Sequence, residues 1–419
     1  MARIAVMSAV YLGDLAPYIP VARRLGEAGH DVVFVAPEGF RTILEAEPFE
    51  FFPYAMDCSP AAMHADPVHT RLMRRPTLNV TKLGRYWINR TFADDPKAAV
   101  RSLQAGFEGA DAVVTHPTAG FITIPVAHSM GIPAVAGHLF PMMIPTAHWT
   151  PPFGPRSPNL TAPLNRAAWG MVRTAAARSF RDDAINEARV GLGQPTVRGS
   201  AGWAWLDADL TVILVSRHYY GDGAPDWPEV AWGGFSIWHG PDGQAIDPAL
   251  DRYVDDGDPP VLVMLGTSAA TNAGAQFARI ASDLDGHGLR SVLLTGDPAS
   301  LAAVAGRPGA RTFAPVTPLL PRCQVAVVSG ALGGVAAALT AGVPVVIHPQ
   351  LFDQVWHGRR VEALGVGLMA RRTSKVGDAV RRIASDPGYA ERARALAARM
   401  ADEDGAEAVR AAVESLLAA

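Results

Sequence analysis

Residues 4–10 form a short and almost wholly apolar run, stopped by Gly13 and Asp14. An apolar run of that length, without alternation, predicts a strand buried on both faces. Apolar residues then recur at helical spacing (Pro17, Ile19, Pro20, Val21, Ala22, Leu25), and Gly26 to Gly29 close the predicted helix. Residues 31–36 are a second apolar run. Strand, loop, helix and strand make a βαβ unit, which predicts a parallel sheet with helices on both faces. The pattern returns with a strand at 112–115, a helix at 121–130 and a strand at 133–137.

The same grammar restarts later. Residues 261–265 are apolar and end at Gly266, Thr267 and Ser268. A helix over about 275–284 follows, then a strand at 291–295. A strand at 325–328 ends at Ser329 and Gly330, a helix covers about 334–341, and 343–347 is the next strand. Two doubly wound α/β halves are therefore expected. Between them, Gly221, Gly223, Pro225, Pro228, Gly233, Gly234 and the stretch 255–260 have the composition of a linker. Two stretches, 55–95 and 139–200, carry no clear βα pattern. They hold Trp87, Phe140, Met142, Met143, Trp149, Phe153, Trp169 and Met171 among many prolines. Such residues suit ordinary packing, or an apolar substrate site lined with aromatic and soft side chains. Phe140, Met142, Met143 and Trp149 are the candidates to line it.

Composition narrows the function. The chain has 419 residues, 49% of them hydrophobic and 18% charged, with a formal net charge of −3. This excludes a largely disordered chain and argues against a nucleic-acid binder, which needs a basic face. Two cysteines, Cys58 and Cys323, cannot build a disulfide framework or a four-cysteine zinc site. The apolar stretch 1–10 is interrupted by Arg3 and is too short to span a bilayer. No membrane span is expected, a cytoplasmic location is, and peripheral membrane contact is compatible with the pattern.

The segment 329–367 carries the most chemistry. A glycine-rich turn (Ser329, Gly330, Gly333, Gly334) joins a buried strand to an Ala-rich helix at Val335 and beyond. Backbone N–H groups and the dipole at that helix N-terminus favour a diphosphate. After the next strand, Asp353 and Gln354 place an acid and an amide at a strand's carboxyl end, where open α/β sheets bind ligands. Such a pair suits vicinal sugar hydroxyls. Asp207 and Asp209 stand one residue apart with no metal motif around them. No Gly-x-Ser-x-Gly nucleophile turn and no P-loop lysine occur.

On these residues the chain resembles the nucleotide-sugar-dependent glycosyltransferases of the two-Rossmann (GT-B) type, in particular the bacterial natural-product and sterol-glucosyltransferase branch. The family's donor motif runs from a His-Gly-Gly turn through Ala-Gly-Val-Pro to Asp-Gln and an Arg-Val-x-x-Leu-Gly-Val-Gly tail. Residues 341–344, Asp353, Gln354, Arg360, Val361 and 364–367 match it. The resemblance implies base stacking near Phe313, backbone contacts at Val316 and phosphate contacts at Gly266, Thr267 and Ser268. Residues 13–17 resemble the Gly-Asp-Val-x-Pro turn of the sterol-type branch. Two departures stand out. Ser329 and Ala331 replace the phosphate-loop His and second Gly. Many members carry a catalytic His in the first loop and an Asp after a later strand; here these places hold Asp14 and His116. Either Asp14 is the general base, or His116 is the base with Asp14 as its partner.

The resemblance implies two Rossmann-like domains facing each other across a cleft. The expected division is an acceptor domain over 1–225, a linker over 226–256, a donor domain over 257–400, and a C-terminal helix over 401–419 packing back on the first domain. The implied reaction is an inverting, metal-independent transfer of a hexose to a hydroxyl of an apolar small-molecule or lipid acceptor. The donor would be a UDP- or dTDP-hexose, used as co-substrate, with no cofactor and no metal. The alternatives are a nucleotide-sugar 2-epimerase and a non-catalytic helper derived from a transferase.

Overall fold

A computed structural model describes residues 1–8, 12–56, 62, 65–73, 79–152, 160–179, 181–198, 204–240, 244–266, 273–350 and 352–419. The apolar runs become two sheets in which every neighbouring pair of strands is parallel. The first contains β1 (Arg3–Met7), β2 (Asp31–Pro37), β3 (Glu50–Tyr54), β4 (Ala112–Thr115), β5 (Ala134–His138), β6 (Leu210–Ile213) and β7 (Ala231–Trp232), in the order β3-β2-β1-β4-β5-β6-β7. The second contains β8 (Val261–Met264), β9 (Ser291–Leu294), β10 (Ala310–Arg311), β11 (Val325–Val328), β12 (Val345–Ile347) and β13 (Gly367–Met369), in the order β10-β9-β8-β11-β12-β13. Ile4, Ala5, Val6, Val113, Val114, Val261, Leu262 and Val327 have no solvent exposure. Helices cover both faces, so these strands have no polar side to show as alternation.

Both sheets reverse their strand order once. In the first the reversal lies between β1 and β4, where Met7 pairs with Thr115; in the second it lies between β8 and β11, where Met264 pairs with Val328. Open α/β sheets bind ligands outside the carboxyl ends of the strands at such a reversal. The residues following β4 and β11 are His116 and Ser329, so the fold alone singles out two of the candidate positions.

By its contacts the chain forms two units. One comprises Met1–Arg217, Gly221–Trp238 and Glu403–Ala419; the other comprises His218–Tyr220 and His239–Asp402. Within the first, the C-terminal helix Gly405–Leu417 lies along the helix Tyr18–Glu27. Asp404 caps it by accepting from the N–H groups of Ala406 and Glu407, and Arg24 reaches Asp404 at 2.7 Å. Val409 and Val413 are fully buried there. Of the stretch 226–256, expected as a linker, residues 239–256 belong to the second unit and include a helix, Pro248–Asp255, which buries Leu250 and Val254. The patternless stretches are also largely helical, with Val80–Ile88, Ala162–Ser179 and Asp182–Gly191. Among the described residues, no helix is long and apolar enough to cross a membrane.

A polar latch in the second unit gives a pH prediction. His287 follows the helix Ala273–Gly286; its Nδ1 lies 2.7 Å from the Asp283 carbonyl and its Nε2 3.0 Å from Asp378. These partners, the backbone bond first, raise the His287 pKa above its ordinary 6.5. A raised histidine stabilises the fold below about pH 6.5, and that contribution fades as pH rises through the raised value. We expect the melting temperature to fall above about pH 6.5 more steeply in the wild type than in His287→Gln. Parallel melting curves across that range would contradict the latch.

Candidate active site

In the first unit, the short helix Leu12–Leu15 carries Asp14, whose side chain remains 27% exposed. His116 continues β4. Its N–H donates to the Met7 carbonyl at 3.0 Å, and its own carbonyl accepts from Ala119 and Gly120, where the helix Gly120–Ser129 begins. The imidazole is fully buried between Tyr18 and Phe140, with ring centroids at 5.7 and 5.9 Å. Tyr18 sits at the ends of β4 and β5; its hydroxyl donates to the Gly137 carbonyl and lies 3.4 Å from that of Thr115.

His116 Nε2 faces Asp14 Oδ1 at 3.9 Å. His116 Nδ1 accepts the Thr118 N–H at 3.1 Å and lies 2.7 Å from the Thr118 hydroxyl. Burial, aided by the neighbouring His138, pushes the His116 pKa down to about 3. The ring is therefore neutral in the working range. His138, at the end of β5, is built alike: it is buried, its pKa falls to about 3, and its Nδ1 accepts the Phe140 N–H at 3.0 Å.

The structure thus brings Asp14, His116 and Phe140 together. The other acceptor candidates are placed differently. Met142 is only 2% exposed, in the turn Pro141–Met143, and Met143 beside it is half-buried. Trp149 packs edge-on against Trp227 at 5.6 Å, and its carbonyl accepts from Trp169 Nε1 at 3.0 Å. Asp207 and Asp209 point elsewhere, to Arg189 at 3.5 Å and to His128 at 2.9 Å.

In the second unit, Gly266 stands two residues beyond β8 with φ +69°, and a Cβ there would stand 3.7 Å from Ser329 Oγ. Thr267 and Ser268 lie outside the described residues. Ser329 is 2% exposed, and its Oγ accepts the Ala331 N–H at 3.4 Å. Gly330 adopts φ +92°; a Cβ would meet Ile347 Cγ2 at 2.7 Å and Gln354 at 3.1 Å, so only glycine fits. The helix Leu332–Thr340 follows, with no side chain capping its N-terminus. A Cβ on Gly333 would meet nothing within 4 Å, whereas Gly334 lies against Val328. Val335 is fully buried, and its N–H is bound to the Ala331 carbonyl. The uncapped N-terminus, with room for a side chain at Gly333, suits an anion.

Asp353 stands in the first turn of the helix Phe352–Leu364. It is partly buried, and burial pushes its carboxyl up to about 6 against the N–H bonds that hold it down. Gln354 is 2% exposed, with its Oε1 accepting the Gln350 N–H at 2.6 Å; Gln276 donates in turn to the Gln350 side chain at 2.9 Å. These supporting amides carry no motif that sequence reading could have found. Further along, Trp356 stacks on Tyr220 at 5.1 Å, the Tyr219 hydroxyl lies 2.7 Å from His357 Nδ1, and Arg360 donates to the Tyr219 carbonyl. They anchor the helix that presents Asp353. Phe313 is 56% exposed, its Cζ 3.5 Å from where a Cβ on Gly240 would stand, and Val316 starts the short helix Val316–Leu319. An exposed ring of this kind can stack on a nucleobase.

Residues 282–416 match the family model of the erythromycin biosynthesis protein CIII-like C-terminal domain. The chain is 27% identical over 415 residues to O-mycaminosyltylonolide 6-deoxyallosyltransferase of Streptomyces fradiae, covering 97% of this chain and 95% of that one. It is 28% identical over 420 residues to 4'-demethylrebeccamycin synthase of Lentzea aerocolonigenes, covering 96% and 95%. Its fold matches the glycosyltransferase SnogD of Streptomyces nogalater with a TM-score of 0.69 at 17% identity, over 99% of this chain and 100% of that one. It also matches the glycosyltransferase SsfS6 of Streptomyces sp. SF2575 complexed with thymidine diphosphate, with a TM-score of 0.66 at 19% identity, over 99% and 100%.

Proposed function

We propose that this chain, a GT-B glycosyltransferase of the bacterial natural-product type, moves a hexose from a nucleoside diphosphate to a hydroxyl of an apolar acceptor, with inversion and without a metal ion. The observation that carries this reading is the Asp14–His116 pair at the strand reversal of the first sheet. Asp14 takes the proton of the acceptor hydroxyl. The oxygen bonds to the anomeric carbon as the bond from that carbon to the diphosphate oxygen breaks. The leaving diphosphate carries away the electron pair, and its charge is met by the N-terminus of the helix Leu332–Thr340 and by Ser329. A thymidine or uridine diphosphate fits, its base on Phe313. That SsfS6 binds thymidine diphosphate supports the first of these. The relatives act on natural products, which supports an apolar small molecule as acceptor.

Asp353 then reads the sugar. Asp353→Ala should weaken binding of the sugar-bearing donor roughly 10–100-fold, the worth of one hydrogen bond to a charged group. Affinity for the free nucleoside diphosphate should stay nearly unchanged. Gln354→Ala should weaken both, because its amide oxygen holds the Gln350 loop. Calorimetric titration of both ligands onto both variants checks this. Equal losses for sugar-bearing and sugar-free nucleotides in Asp353→Ala would remove Asp353 from the sugar site.

A further inference from the structure

We propose that Thr118 is a positioning residue that fixes which nitrogen of His116 carries the proton. The inference rests on the reading of Asp14 and His116 as the proton-handling pair. A backbone N–H can only donate, so His116 Nδ1, 3.1 Å from the Thr118 N–H, is an acceptor. The Thr118 hydroxyl, 2.7 Å from the same nitrogen, then donates as well. In the neutral ring the proton must stand on Nε2, the nitrogen facing the Asp14 carboxylate. At 3.9 Å the Nε2–H makes no hydrogen bond to Asp14 but turns its positive end toward the carboxylate, and a protonated Nε2 cannot accept the acceptor's proton. Asp14 is left as the proton acceptor of the pair. The tautomer opposite to this one would point a lone pair at the carboxylate and repel it.

The neighbouring strand shows what the hydroxyl adds. His138 takes the same backbone bond, from residue 140, but that residue is Phe and has no hydroxyl to give. At His116 both donors come from the one residue, Thr118. Thr118 itself is exposed, so its side chain is not held in place by core packing. Replacing it changes the hydrogen bonding with little loss of buried surface.

The test uses the full chain with ¹⁵N-labelled histidine. In the wild type, ring-nitrogen shifts should show His116 protonated at Nε2 and bare at Nδ1. Thr118→Val keeps the N–H bond and removes the hydroxyl, so the Nδ1–H form should gain population. Its kcat for an alcohol acceptor should fall about 3–10-fold, the worth of one neutral hydrogen bond, with KM unchanged, and Thr118→Ser should restore both. In an Asp14→Asn background, Thr118→Val should cost nothing further. A wild-type ring protonated at Nδ1 overturns the proposal, as does a Thr118→Val variant with unaltered ring shifts and kcat. The ring shifts need no turnover, so they decide the role of Thr118 even if no sugar transfer is found, an outcome that would count against the transferase mechanism instead.

Discussion

Asp14→Asn should lower kcat for an alcohol acceptor by about 10²–10⁴-fold, the usual worth of a general base. The same change should matter far less for an acceptor already ionised at the assay pH, such as an acidic phenol, because no proton then has to be removed. Asparagine keeps the shape and the helix Leu12–Leu15, so the loss reports the missing carboxylate rather than a refolded loop. His116→Ala removes an N–H that stands 3.9 Å from that carboxylate, beyond hydrogen-bond reach, and should cost less, about 10-fold or under. The order of the two effects is the informative part. Were the imidazole the base, His116→Ala would be the more damaging change. Burial speaks against that: a ring with its pKa near 3 holds a proton poorly at neutral pH. Initial rates with paired alcohol and phenol acceptors give both comparisons in one experiment.

Gly330→Ala should damage the donor unit most. At φ +92° an L residue is strained, and the new methyl would stand 2.7 Å from Ile347 Cγ2 and 3.1 Å from Gln354. Left-handed strain and overpacking together should cost roughly 2–4 kcal/mol. The displaced Gln354 belongs to the same loop as Gln350, so nucleotide binding should fall with stability. Gly333→Ala is the matched control. Its methyl meets nothing within 4 Å, so the melting temperature should hold. In the first turn of an uncapped helix that methyl should crowd a bound diphosphate, so diphosphate affinity should drop alone. Thermal melts and thymidine diphosphate titrations of both variants separate the two behaviours. A Gly330→Ala protein that melts and binds like the wild type would mean the turn is not as tight as the structure shows.

The strands were legible because burial on both faces leaves unbroken apolar runs, as at 4–7, 112–115 and 325–328. Glycines at strand ends, above all Gly266 and Gly330, marked the turns for the same reason they are needed there. The helix Ala162–Ser179 escaped notice. Its buried stripe is Asn165, Trp169 and Ala176, while Leu164 and Met171 lie exposed, so apolarity does not mark its inner face. The helix Pro248–Asp255 was hidden by the turn formers that flank it. Asp14 and His116 could be nominated from sequence, but their roles could not be divided. That division depends on a backbone N–H two residues after the histidine, and no side-chain pattern records it. The inward turn of Gln354 likewise depends on Gln350 and Gln276, and the latter lies far off in sequence.

The proposed reaction is a single displacement at the anomeric carbon, driven by Asp14 and needing no metal ion. The anomeric proton coupling of the transferred sugar, measured by NMR on product formed from an α-linked nucleotide hexose in excess chelator, tests it most directly. A displacement of this kind yields a β-linked product, formed at an undiminished rate. An α-linked product, or turnover lost to chelator and restored by manganese or magnesium, would contradict it.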